Sequence, residues 1–280
     1  MVDAVVAREL WTLFEPVHAV TYFTPEAVAA YEEAGLRGYW RGYFAGRAAA
    51  LGPVGPEPVV AAFFGFAPAM VARAFPDVWT RAAPDAVLDA RLRGAVAALR
   101  RLAGGADVTE AADLLHAAAS SVDLAGRVLG AAHAALPVPD DAFGRLWRAA
   151  TVLREHRGDG HVAALVAADV DGPESLVWRA GLDLAREALQ PYRGWTDEEW
   201  DAAVDRLRSR GWLDASGRVT DAGREAQRAV EAATDAAAAR PWRALGEERV
   251  ARLRAALAPV SAAAYAVLPP VTPLGLPPRR

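Results

Sequence analysis

Apolar and polar positions follow the helical period along nearly the whole chain. The run TDEEWDAAVDRLRSRG (196–211) shows this best: Trp200, Ala203, Val204 and Leu207 recur at i, i+3, i+4 and i+7, with Thr196 or Asp197 placed to cap the helix they line. The same pattern predicts a helix over DDAFGRLWRAATVLREHR (140–157), opened by an Asp cap and ended by Gly158. A second, GHVAALVAAD (160–169), would be capped by Asp159. Further helices are expected over GPESLVWRAGLDLAREAL (172–189), with Pro173 in its first turn, and over TDAGREAQRAVEAATDAAAA (220–239). Between the last two, WLDASGRVT (212–220) reads as two very short strands around a Ser216–Gly217 turn. The expected fold is mainly α with short β-wings.

The elements recur in order. GPEPVVAAF from Gly55 is echoed by GPESLVWRA from Gly172, and WTRAAPDAVLDARLRG from Trp79 by WTDEEWDAAVDRLRSRG from Trp195. VTEAADLLHAA from Val108 is echoed in turn by VTDAGREAQRA from Val219. This predicts a tandem duplication: two fused winged-helix-type modules, 1–140 and 141–268, forming a pseudo-dimer. They would join at LPVPDDAFG (136–144) and be followed by a proline-rich tail over 269–280. Around LRSRGWLDASGRVTDAGRE the chain resembles the MarR-type regulators, matching at Leu207, Gly211, Leu213, Gly217, Thr220 and Gly223. That resemblance implies a helix over 196–210 entering a DNA major groove, a wing at the minor groove, paired subunits and an effector pocket near their interface. FEPVHAVTYFTPEA, GLRGYWRGYFAGRAAALGPV and LREHRGDGHVAAL also resemble a family of actinobacterial helix-turn-helix-type proteins, a resemblance that implies a fold but no activity.

Composition narrows the functions. Of 280 residues, 53% are hydrophobic and none is cysteine, which removes disulfides and thiolate chemistry. No apolar run reaches the roughly 20 residues that span a bilayer, and the N-terminal residues carry no secretory pattern, so the expected setting is cytoplasmic, away from membranes, as a monomer or homodimer. All 31 basic residues are arginines, against 35 acidic ones, for a net charge of −4. DNA binding would then rest on Arg206, Arg208, Arg210 and Arg218. These are outnumbered by Asp197, Glu198, Glu199, Asp201, Asp205 and Asp214, so DNA is a disfavoured partner.

Candidate chemistry gathers in three stretches. EPVHAVTYF offers Glu15, His18 and Tyr22; GLRGYWRGYFAGR alternates Tyr39, Tyr43 and Arg47 with glycines; LREHRGDGH packs Arg154, Glu155, His156, Arg157, Asp159 and His161 into eight positions. Arginines beside aromatics suit a planar or anionic ligand. Carboxylates beside imidazoles tune proton transfer. The leading expectation is a pocket between the modules for a small aromatic or anionic molecule, lined by Glu15, His18, Tyr22, Tyr39, Tyr43, Arg47, Arg154, Glu155 and Arg157. One alternative is a ligand-responsive transcriptional regulator. Another is an enzyme of secondary metabolism using His156, His161 and Asp159 as acid and base. No cofactor is indicated, no metal-binding spacing such as H-E-x-x-H is present, and P-loop, G-x-G-x-x-G and G-x-S-x-G motifs are missing.

Overall fold

A computed structural model describes residues 4–272 and 274–276. The chain forms two compact units, each discontinuous: unit 1 is Met1–Val54, Pro76–Gly160 and Asp235–Arg280, and unit 2 is Gly55–Phe75 and His161–Thr234. The expected modules 1–140 and 141–268 therefore do not coincide with the units, since each unit draws on both halves. The physical reason is non-local. Residues 55–75 are held in unit 2 by the Ala67 N–H donating to the Arg193 carbonyl (2.8 Å) and the Trp195 indole donating to the Gly65 carbonyl (3.0 Å).

In chain order, unit 1 opens with α1 (Ala4–Phe23), α2 (Pro25–Glu33) and α3 (Tyr39–Ala48). The chain then passes to unit 2 for α4 (Pro56–Phe63) and α5 (Pro68–Ala72). It returns for α6 (Asp77–Arg81), α7 (Pro84–Ala103), α8 (Thr109–Ala119) and α9 (Val128–Ala134). Helix α10 (Ala142–Ala167) starts in unit 1 and ends in unit 2, where α11 (Gly172–Ala180) and α12 (Asp197–Ser209) follow. Helix α13 (Asp221–Ala237) leads back to α14 (Arg240–Leu245) and α15 (Glu247–Ala266).

The core of unit 1 is built on α1, whose Leu10, Phe14 and Val17 recur at helical spacing and meet Leu99, Leu115, Trp147, Trp242, Leu253 and Leu257. A smaller cluster of Ala19, Tyr22 and Leu268 receives Leu274 and Leu276 of the proline-rich tail, whose residues 273 and 277–280 lie outside the described residues. Unit 2 has its own core, with Leu176, Trp178, Trp200, Leu207, Leu213 and Val219 at its centre. No helix among the described residues is long and apolar enough to cross a membrane.

Two local expectations are corrected. Gly158 does not end a helix and Asp159 does not cap one, because α10 runs unbroken for 26 residues. A Cβ on Gly158 would meet only the Arg154 guanidinium, at 4.0 Å, and close approach falls at Gly160 instead. A Cβ on Gly160 would collide with the Arg127 guanidinium, and one on Gly130 of α9 would lie 2.9 Å from the His156 Cα. The wing is also smaller than expected. Among the described residues, pairing is confined to one antiparallel bridge, Leu213 with Val219, and the first half of the chain has no counterpart. Repeated segments also fall in unlike settings: those from Gly55 and Gly172 both lie in unit 2, whereas those from Trp79 and Trp195 lie in different units. The structure thus supports a mainly helical fold but not a pseudo-dimer of two winged modules.

Candidate functional site: a buried polar cluster in unit 1

Helix α10 carries charge on the side that faces the core of unit 1. Glu155 is 1% exposed and receives Arg47 of α3 through Nε (3.3 Å) and Nη2 (3.1 Å), and Arg154 through Nη1 (2.8 Å). Burial alone would raise the Glu155 carboxyl, but Arg154 and Arg47 outweigh it and hold its pKa well below the ordinary range. Burial also opposes the charge of Arg47, yet Glu155 and Tyr43 keep it firmly protonated. Arg154 reaches on to Glu15 (3.6 Å), whose other oxygen accepts the Trp11 indole N–H at 3.0 Å. Burial wins at Glu15, where the pKa is raised despite Arg154.

His18 and Tyr22 continue the network along α1. His18 Nδ1 lies 3.0 Å from Thr151 Oγ1, and Nε2 lies 2.9 Å from the Tyr22 hydroxyl. That hydroxyl accepts from Arg91 Nη2 at 3.3 Å, and Arg91 Nη1 donates to the Gly46 carbonyl at 2.9 Å. Trp147 stacks on His18 with ring centroids 6.2 Å apart, while Arg91 sits 5.3 Å from the Trp147 ring. Burial, then Arg154 and Arg91, hold His18 neutral, with its pKa well below the imidazole norm. His133 on α9 is pushed down to about 3 by burial and by Arg91.

The structure thus gathers Glu15, His18, Tyr22, Tyr43, Arg47, Arg154 and Glu155 into one network inside unit 1. Arg157 joins a neighbouring pair with Asp235 (2.8 Å) and covers the Trp11 ring at 4.8 Å. Tyr39 stays half exposed beside a hollow of about 20 Å³ that it shares with Thr21, Tyr22, Tyr31 and Tyr43. Such a hollow has room for about one water. The network takes residues from both halves of the chain but lies within one unit.

The three residues expected to do acid–base work are not brought together. His156 Nε2 is 3.1 Å from Asp123 Oδ1, His161 Nδ1 is 3.0 Å from Thr234 Oγ1, and Asp159 accepts the Gly130 N–H at 2.8 Å. Five residues apart on one helix, the two imidazoles project about 140° from each other. Burial and Arg127 lower the His156 pKa against the pull of Asp123, and burial raises Asp159 to about 6. Each imidazole therefore has its own partner. No group of three or more His, Cys, Asp or Glu among the described residues could hold a metal ion.

Sequence reading missed Arg91, His133, Arg148, Asp123 and Asp235. Arg91 carried a usable signal, since it falls in register with Val87, Ala95 and Ala98 on the buried face of α7. His133 and Asp235 carried none, because their partners lie far off in sequence.

In unit 2, Thr196 forms a reciprocal capping box with Glu199, and Trp200, Ala203 and Leu207 turn inward. The outward face of α12 is acidic, and the four arginines expected to meet DNA have internal partners. Arg206 contacts Asp171 (2.6 Å) and Glu174 (2.9 Å), and Arg210 contacts Asp169 (3.1 Å). Arg208 donates to the Ala215 carbonyl (2.9 Å), and Arg218 meets Asp214 (3.3 Å). Helix α11 packs on α12, but sixteen residues (181–196) intervene, including single helical turns at Arg186–Ala188 and Gln190–Tyr192. A helix-turn-helix ordinarily uses three or four.

A model of the helix-turn-helix family matches residues 7–269. The chain belongs to that family, and the match takes in both units. Comparison with curated proteins and with solved structures finds no match.

Proposed function

We propose that the chain is a helix-turn-helix protein whose unit 1 binds a small molecule at the polar cluster on α1, α3, α7, α9 and α10. The observation that carries this is the amount of charge placed where folding does not need it. Replacing a buried ion-pair network with apolar side chains is often neutral or stabilising, so Arg47, Glu155, Arg154 and Glu15 are expensive choices for packing alone. The hollow beside Tyr22 and Tyr43 supplies an adjoining apolar wall. A thermal-shift screen of neutral aromatic and anionic metabolites tests the reading. Some compound should raise Tm by several degrees in a saturable manner; a flat response across both classes would overturn it.

Family membership favours a second reading, a ligand-responsive regulator that binds DNA through unit 2, with the MarR-like corner at 207–223 in support. The acidic face of α12 argues against direct groove reading through that helix. Fluorescence anisotropy with mixed-sequence duplex DNA separates the two. The expected result is no binding near physiological salt, and a salt-dependent affinity that Arg218→Ala reduces would favour the regulator.

A further inference from the structure

The arginines of unit 1 are not all neutralised from within. Asp235 meets Arg157 and Arg8, Glu155 meets Arg47 and Arg154, and Glu15 meets Arg154. Among the buried arginines of unit 1, these pairings leave Arg91 and Arg148, which have no carboxylate partner among the described residues. Arg91 has only neutral partners, among them the Gly46 carbonyl, the Tyr22 hydroxyl, the Tyr31 hydroxyl and His133 Nε2 at 3.5 Å. Arg148 makes no hydrogen bond with any described residue, although it is just 8% exposed. Three buried nitrogens in this neighbourhood, Arg91 Nε, Arg148 Nε and His133 Nδ1, are unpartnered.

From this juxtaposition we propose that Arg91, Arg148 and His133 form a binding site for a small oxyanion, the carboxylate or phosphate group of a metabolite. A guanidinium fork matches either group, offering two parallel N–H donors to two oxygens. Two buried guanidinium groups without a counter-charge are unfavourable, and an incoming anion relieves that imbalance. The shared field is already felt by the protein: burial and the nearby Arg91 bring the Arg148 pKa down to about 10. Arg148 keeps more exposure than Arg91 or His133, each at 1%, so the anion enters along its side chain. Trp147, under the Arg91 guanidinium, gives the site an aromatic wall.

The proposal deepens the small-molecule reading and rests on it. Its test uses the full chain in chloride buffer, with Tm followed against inorganic phosphate, acetate and benzoate up to concentrations on the order of 10 mM. At least one anion should give a saturable rise of several degrees, and a larger response to phosphate than to the carboxylates, or the reverse, identifies the source. Arg148→Met removes a charge that no internal hydrogen bond holds. That variant should fold with an unchanged or higher Tm and lose the response, and Arg148→Lys should regain part of it. If wild type ignores all three anions, or if Arg148→Met responds as wild type does, the oxyanion site is wrong and its nitrogens are served by water alone. A neutral aromatic compound that stabilises wild type and Arg148→Met equally would sink this site while leaving the broader reading standing.

Discussion

Helix α12 and the middle of α10 are both crowded with charge, yet they handle it in opposite ways. On α12 the acids point to solvent, and Arg206 and Arg210 clip onto the capping residues Asp171 and Glu174 of the neighbouring helix. Most of these charges keep their water, so little is at stake in any one pair. On α10, Glu155 has given up its water entirely and depends on Arg47 and Arg154. The lesson is that charge density in the sequence says little about function until burial is known. The charged helix that most resembles a DNA reader is a solvated surface, and the costly charges sit elsewhere.

The sharpest way to break this comparison is Glu155→Gln. It leaves two guanidinium groups facing a neutral amide, and urea unfolding should show a loss of about 3–5 kcal/mol. A loss no larger than that of an exposed pair would mean the cluster is wetter than its geometry implies.

Acid should come next in effect. His18, His133 and His156 are all held below the ordinary imidazole pKa in the folded state, so the unfolded chain binds more protons once the pH drops under about 6.5. Stability is therefore full above that pH and falls on acidification. Asp159 and Glu15, whose pKa values are raised, take up protons on folding and offset part of the loss. The net expectation is about 2–4 kcal/mol lost between pH 7 and pH 5, read by urea melts at each pH. Hydrogen exchange should show earlier opening in α1 and α9 than in α12, which contains no histidine. Equal opening in all three would erase the contrast. The smallest effect is Arg206→Ala, expected to cost less than about 1 kcal/mol because its guanidinium is half exposed and Arg210 still faces Glu174.

These contrasts also mark what the sequence could reveal. Helix α12, its Thr196 cap and its buried Trp200, Ala203 and Leu207 were legible because every determinant lies within a dozen residues. The concentration of polar groups at 154–161 was legible too, as a peak of unusual composition. Its meaning was not, since Arg47 and Glu155 lie 108 residues apart and only tertiary packing joins them. The glycines of α10 misled for a related reason. A glycine that ends a helix and one that admits a neighbouring side chain look alike until the neighbour, here the Arg127 guanidinium against Gly160, is known. The unit boundaries were hidden because residues 55–75 are held by 193 and 195 rather than by adjacent chain.

Trp147 gives the molecule a built-in optical gauge. Its indole donates to the His18 carbonyl at 3.2 Å, lies nearly parallel to the His18 ring and sits beneath Arg91. A rearrangement of either neighbour alters the electric field across a chromophore that is 1% exposed. Near-ultraviolet dichroism and emission wavelength should register occupancy of this region without any attached label.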